Sequence, residues 1–224
     1  MQSPTYLRHS APHLQAAVLD LDGTLVHTLG DFHAALNLML VDLALPAASV
    51  EAVSHFVGKG SEHLIRSTLA HVGARHTPYE TAWTRYQHHY QAINGQHSVV
   101  YDGVEQGLRA LQAAGLKLAC LTNKPVGFAR DLLAAKGLAA HFAHVFGGDS
   151  FERKKPDPLP LLKTCEALGS EPARTVMIGD SQNDALAGRA AGCAVWLVTY
   201  GYNHGQPIAE APHDRLLDSL AELA

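Results

Sequence analysis

The sequence predicts an α/β fold, a parallel sheet with helices on both faces, interrupted near its start by an all-helical insertion. Two patterns predict this, and a third says where the chemistry sits. From about residue 98 onward, short apolar runs alternate with stretches of helical spacing, which implies right-handed crossovers between parallel strands. Between about residues 28 and 97 several helical patterns follow one another with no strong strand signal. Polar clusters come directly after apolar strands at Asp20 and Asp22, at Thr122 and Asn123, and at Asp180 with Ser181. Ligands of open α/β sheets bind beyond the carboxyl ends of the strands, so three such ends predict one shared crevice.

Taken in order, Ala16 to Asp22 reads as a buried strand, short and β-competent, and Gly23 with Thr24 turns the chain. From Thr28 to Leu45, Phe32, Leu36, Met39, Leu40 and Leu43 recur at helical spacing, ending before Pro46. A short helix over Ala48 to Val57, the loop Gly58-Lys59-Gly60 and a helix over Ser61 to Val72 come next. The next helix starts near Thr77 and runs to Ile93, with Trp83, Tyr86, Tyr90 and Ile93 on one face. Val104 to Ala114 is then helical, Leu116 to Leu121 a strand, and a helix leads to Lys136-Gly137. A short strand near Val145-Phe146, a helix over Pro158 to Leu168 and a strand over Thr175 to Ile178 follow. Asp184 to Ala191 is predicted helical, Ala194 to Val198 a strand, and His213 to Leu223 a closing helix. The expected units are a core of residues 1–27 and 98–224 and a helical cap of residues 28–97.

Composition narrows the class. Hydrophobic residues make up 47% of the 224, charged residues 17%, and the formal net charge is −4. That balance suits a soluble globular enzyme and argues against a nucleic-acid binder, which is usually basic. No apolar stretch is long enough to span a bilayer, and Met1 to Gln15, with Arg8, His9 and Pro12, has no signal-peptide core. The expected location is cytoplasmic, with neither nucleic acid nor membrane as a partner. Cys120, Cys165 and Cys193 form no CxxC pair, as expected of reduced thiols, and the fifteen histidines show no tight ligand spacing.

Asp20 and Asp22 lie two apart, so regular pleating would put both carboxylates on one side of the strand. Two like charges that close need a cation or a polar network; a strand end running into an ordinary Asp-Gly turn is the plain alternative. Carboxylate oxygens suit a hard cation such as Mg²⁺, which binds through one or two carboxylates plus substrate phosphate. The Thr122 hydroxyl and the Lys155 ammonium suit phosphoryl oxygens, and a free carboxylate can act as nucleophile. No GxSxG elbow or Walker-type GxxxxGK[ST] competes with this chemistry.

Four ordered motifs carry a resemblance that spans the chain from about residue 15 onward. Asp20-Leu21-Asp22-Gly23-Thr24, Leu121-Thr122-Asn123, Lys155-Pro156 and Gly179-Asp180-Ser181-Gln182-Asn183-Asp184 resemble those of the haloacid dehalogenase superfamily. The resemblance implies a Rossmann-like core with a helical cap inserted after the first strand. It implies that Asp20 is the nucleophile and a Mg²⁺ ligand. Asp22 is then the general acid/base, with its main-chain carbonyl on the metal. Thr122 and the Asn123 amide hold the phosphoryl oxygens, Lys155 offsets charge between nucleophile and phosphate, and Asp180 binds Mg²⁺. Asp184 positions the metal shell or Lys155, with Gly23 and Thr24 in support. Asp184 as the acidic start of a helix, and Ser181 as its cap, are the competing readings.

Within the superfamily, Asp22 favours phosphoryl transfer over dehalogenation, which has no need of that acid. Phe56-Val57-Gly58-Lys59-Gly60, Lys155 to Leu162 and Tyr200 to Gly205 are most similar to the phosphoglycolate phosphatases. The implied activity is Mg²⁺-dependent hydrolysis of a small phosphorylated metabolite, 2-phosphoglycolate in first place, by a monomer or homodimer. A sugar-phosphate phosphatase or phosphomutase, a non-catalytic binding protein and a dehalogenase are the alternatives. Gly58 and Lys59 are candidate substrate-binding residues. Two departures stand out: Lys59 replaces a common asparagine, and His27 an aspartate. Lys59 either pairs with a substrate carboxylate or is an exposed loop lysine.

Overall fold

The computed structural model describes residues 13–224, so the reading of Arg8, His9 and Pro12 lies outside the described residues. Six strands form one sheet: β1 (Ala16–Leu19), β4 (Lys117–Leu121), β5 (His144–Phe146), β6 (Thr175–Gly179), β7 (Ala194–Val198) and β8 (Arg215–Leu217). Their order is β5-β4-β1-β6-β7-β8, and every pair is parallel. The chain steps outward from β1 in both directions, which makes β1 and its neighbours the switch point where a crevice opens.

Alternation along the strands explains why both faces are covered. Ala17 and Leu19 point into a core with Leu118, Cys120 and Ile178, closed by α5 (Val104–Ala113) and α6 (Val126–Ala135). Ala16 and Val18 point the other way, against Ala119, Met177 and α7 (Leu159–Leu168). On that second face α8 (Gln182–Ala191) packs Ala185 on Val195 and Leu197. A period of two with apolar residues on both sides is the pattern of a strand buried on both faces.

Between His27 and Val99 the chain builds four helices: α1 (Leu29–Asp42), α2 (Val50–Ser54), α3 (Ser61–His71) and α4 (Tyr79–Ile93). They share their own core of Phe32, Leu36, Met39, Ile65, Tyr86 and Tyr90. A two-stranded antiparallel ribbon, β2 (Val26–His27) with β3 (Val99–Val100), carries the chain out and back. Asp31, without solvent exposure, holds the return by accepting from Gly95 N at 2.8 Å and His97 N at 2.6 Å.

Two expectations are corrected. The closing helix over His213 to Leu223 is absent: Arg215–Leu217 adds β8 to the sheet edge, and only Leu220–Leu223 winds into a 3-10 turn. Leu217, Leu220 and Leu223 are all buried at a spacing of three, a pattern that a strand followed by a turn satisfies as well as a helix does. The helix predicted over Ala48 to Val57 is shorter, and its Ser49 cap accepts from Ala52 N at 3.2 Å. No helix of the described residues is long and apolar enough to cross a membrane.

Candidate active site

The first strand ends just before the site begins. Asp20 N still donates to Ile178 O of β6 at 2.9 Å, after which Leu21 O collects the amides of Leu25 and Val26, each at 3.0 Å. Gly23 makes that turn possible: its φ is +88°, a region costly for other residues. A Cβ there would also run into the Asp180 carboxylate and the Tyr202 ring. The tight turn brings Asp20 and Asp22 onto one crevice with Thr122, Asn123 and Lys124, roofed by Phe32, Val57, Gly58, Leu64 and Tyr90.

One half of the site is a buried ionic cluster. Lys155, 3% exposed, reaches Leu121 O and Asp184 Oδ1, both at 2.6 Å, and stands 2.9 Å from Asp20 Oδ1. Burial by itself would lower the Lys155 pKa, but Asp184 and Asp20 raise it above the usual lysine value. Asp184 Oδ2 accepts from Ser181 Oγ at 2.7 Å, Ser181 N at 3.2 Å and Asp180 N at 3.3 Å. Asp184 thus sits in the first turn of α8 with one carboxylate oxygen on Lys155 and the other on the Ser181 cap. Asp180 is boxed in by Thr24 Oγ1, which donates to Oδ1 at 2.9 Å, and by Tyr202 N, which donates to Oδ2.

Carboxylate oxygens of Asp20, Asp180 and Asp184 lie within 4.8 Å of one another, and all three residues are buried. Burial, reinforced by the Asp184 and Asp22 charges and opposed by Lys155, pushes the Asp20 carboxyl up to about 7. Burial and the charges of Asp184 and Asp20 hold Asp180 well above the ordinary aspartate range. Asp20 Oδ1 meets the Lys155 ammonium at 2.9 Å and has no further partner among the described residues. A cluster of buried carboxylates in which one Asp20 oxygen has a single ionic partner fits a hard metal ion, which Asp20 and Asp180 can hold.

The other half is different. Asp22 Oδ1 accepts from Lys124 Nζ at 2.7 Å, and that ammonium lies 4.3 Å from the Phe32 ring centroid and 5.1 Å from that of Tyr90. Thr122 lines the crevice, and its Oγ1 accepts from Lys124 N at 3.2 Å. The roof is tied down at Gly58, whose carbonyl accepts from Asn123 Nδ2 at 3.1 Å and Asn183 Nδ2 at 3.2 Å. Lys59 is exposed and does not line the crevice, while its carbonyl accepts from Lys154 Nζ at 3.0 Å. His27 meets Tyr101 and Tyr202 edge-on, at 5.6 and 5.8 Å between centroids.

The fold thus gathers Asp20, Asp22, Thr122, Asn123 and Gly58 at the crevice, with Lys155, Asp180, Asp184, Gly23 and Thr24 packed behind. Sequence reasoning missed Lys124, Asn183 and Tyr202. For Lys124 the signal was its place one residue beyond Asn123, at the end of β4.

The haloacid dehalogenase-like hydrolase family model matches residues 14–192. The phosphoglycolate phosphatase of Thiobacillus denitrificans is 44% identical over 214 residues, which cover 94% of each chain. A plasmid-borne phosphoglycolate phosphatase of Cupriavidus necator is 42% identical over 93% of this chain and 90% of its own. Among solved structures, a predicted phosphoglycolate phosphatase of Haemophilus somnus superimposes with a TM-score of 0.89 at 33% identity, over 94% of this chain and 96% of that one. With most of its length matched by the family model, and with relatives this similar over nearly all of it, the chain belongs to the haloacid dehalogenase-like hydrolases.

Proposed function

We propose that this chain is a Mg²⁺-dependent phosphomonoesterase that hydrolyses 2-phosphoglycolate to glycolate and phosphate. One observation carries the chemistry: the two carboxylates of the crevice have separate partners. Asp20 belongs to the cluster of Lys155, Asp180 and Asp184, whereas Asp22 belongs to Lys124. Two equivalent metal-bridging groups would share one environment; a nucleophile and an acid need two. The substrate reading rests on the curated relatives named above.

In this reading an Asp20 carboxylate oxygen attacks phosphorus while Asp22 passes a proton to the departing alkoxide, leaving an aspartyl-phosphate and glycolate. Asp22 then takes a proton from water, whose oxygen attacks phosphorus and frees Asp20 and phosphate. The Thr122 hydroxyl and the Asn123 amide hold phosphoryl oxygens, and Lys155 balances the charge that accumulates beside Asp20. Asp20, Asp180 and the Asp22 main-chain carbonyl would hold the ion. Bound there, Mg²⁺ neutralises phosphoryl charge and so supports in-line displacement.

Residues 28–97 act as the cap over a core of residues 1–27 and 98–224, of which 1–12 lie outside the described residues. The Gly58 roof excludes bulk water from the crevice. Free buried thiols at Cys120, Cys165 and Cys193 suit a reducing cytoplasm. The test is phosphate release with Mg²⁺ from phosphoglycolate, set against sugar phosphates, nucleotides and pyrophosphate. Preference for phosphoglycolate supports the reading; a sugar phosphate turned over faster replaces its substrate.

A further inference from the structure

We infer that Lys124 is the residue that recognises the carboxylate of the substrate's leaving group. This rests on the phosphoglycolate reading and adds to it the group that selects an acid over a neutral alcohol. Lys124 is only 4% exposed, yet it lines the crevice, and Asp22, Phe32 and Tyr90, which surround its ammonium, line it too. It carries the sole positive charge among the described residues that line the crevice.

Geometry connects this charge to the leaving group. In phosphoglycolate one methylene separates the ester oxygen from the carboxylate, which puts the acid roughly 3 Å from the atom that departs. The general acid must reach that ester oxygen within hydrogen-bond distance. Lys124 Nζ is 2.7 Å from Asp22 Oδ1, so a cation stands one contact from the acid, within reach of the carboxylate of so short a substrate. The other lysines are placed elsewhere. Lys155 is committed to Leu121 O, Asp184 and Asp20 on the phosphoryl side, Lys154 donates to Lys59 O, and Lys59 is exposed.

The side chain is also held ready. The faces of Phe32 and Tyr90 flank the ammonium and accept none of its protons as a strong acceptor would. Asp22 Oδ1 takes one hydrogen bond, and no other acceptor among the described residues engages Nζ. Gly148 N donates to Lys124 O at 2.9 Å and fixes the backbone below. A purely structural role is a weak reason for such a charge, because a buried ion pair seldom stabilises more than apolar residues of the same size.

The test compares two ligands that differ only in the carboxylate: 3-phosphonopropionate, with a methylene in place of the ester oxygen, and propylphosphonate. Calorimetric titrations with Mg²⁺ present are run on the wild type, Lys124→Met, Lys124→Gln and Lys59→Met. The wild type is expected to prefer 3-phosphonopropionate by about 30-fold or more, and both Lys124 variants to lose that preference. Retained binding of propylphosphonate in the same variants shows that the phosphoryl half of the site is intact; Lys124→Gln keeps a donor to Asp22 in case Lys124→Met misfolds. A preference that survives both Lys124 substitutions, or one that disappears in Lys59→Met instead, overturns the inference and leaves the substrate reading standing. No preference in the wild type, together with no turnover of phosphoglycolate, overturns both.

Discussion

Asp184 gives both of its carboxylate oxygens away, Oδ1 to Lys155 at 2.6 Å and Oδ2 to the cap of α8, and none of its surface meets solvent. It therefore has little left to offer a metal, although its oxygens lie in the same cluster as those of Asp20 and Asp180. Its Oδ1 and Asp20 Oδ1 face the same Lys155 ammonium, at 2.6 and 2.9 Å. Removing one partner of a buried pair strands the other charge. Asp184→Ala is expected to cost about 3–5 kcal/mol of folding stability, which urea unfolding of the metal-free protein measures. A loss below about 1 kcal/mol would show that Asp20 alone suffices for Lys155.

Asp20→Asn tests the nucleophile. It keeps the shape of the side chain but exchanges the carboxylate for a poorly nucleophilic amide, so on the proposed mechanism phosphatase turnover should fall at least ~10³-fold with the fold unchanged by circular dichroism. Near-wild-type Mg²⁺-dependent turnover would remove Asp20 from the role.

The same substitution has a pH signature. Burial holds the Asp20 carboxyl at about 7 in the metal-free protein, well above an exposed aspartate. A carboxyl raised by folding contributes stability below its unfolded pKa and loses that contribution as pH rises through the folded value. Between about pH 4 and pH 7 the wild type should thus lose stability that Asp20→Asn, having no charge to bury, keeps. At pH 8 the variant should melt at least roughly 3 °C higher than the metal-free wild type, and the gap should close toward pH 4. Mg²⁺ should also narrow it by stabilising the wild type. A gap that widens on acidification contradicts the assignment.

Gly23 makes a prediction about the metal. At φ +88°, with Asp180 and the Tyr202 ring where a Cβ would go, Gly23→Ala must displace the Asp180 carboxylate. Mg²⁺ affinity should drop roughly 10–100-fold, as for other changes that misorient a ligand, with calorimetric titration as the measurement. Unchanged affinity would place the ion away from Asp180.

How much of this was legible in the sequence varies with the distance over which each feature is built. Strand ends were readable because an apolar run and the polar group that ends it are neighbours: Leu19 with Asp20, Leu121 with Thr122, Gly179 with Asp180. Both sets of Asp184 contacts, with the α8 cap and with Lys155, were foreshadowed by two competing readings of the residue. Lys124 was not, because what makes it special comes from Asp22, Phe32 and Tyr90, far apart in the chain and joined only by the fold. At the C-terminus the buried leucines fit two periodicities, and what decides between them is the open edge of β7, which pairs Trp196 to Val198 with Arg215 to Leu217.

The β2–β3 ribbon has a consequence for how such a protein diversifies. Val26 pairs with Val100 and His27 with Val99, so the helical segment departs and returns through adjacent backbone positions. The closure entropy of such a segment grows only slowly as it lengthens. Evolution, or a protein engineer, is thus free to lengthen, shorten or transplant everything between the two strands while Asp20, Thr122 and Asp180 keep their places just beyond the ends of β1, β4 and β6. The ribbon works as a graft junction.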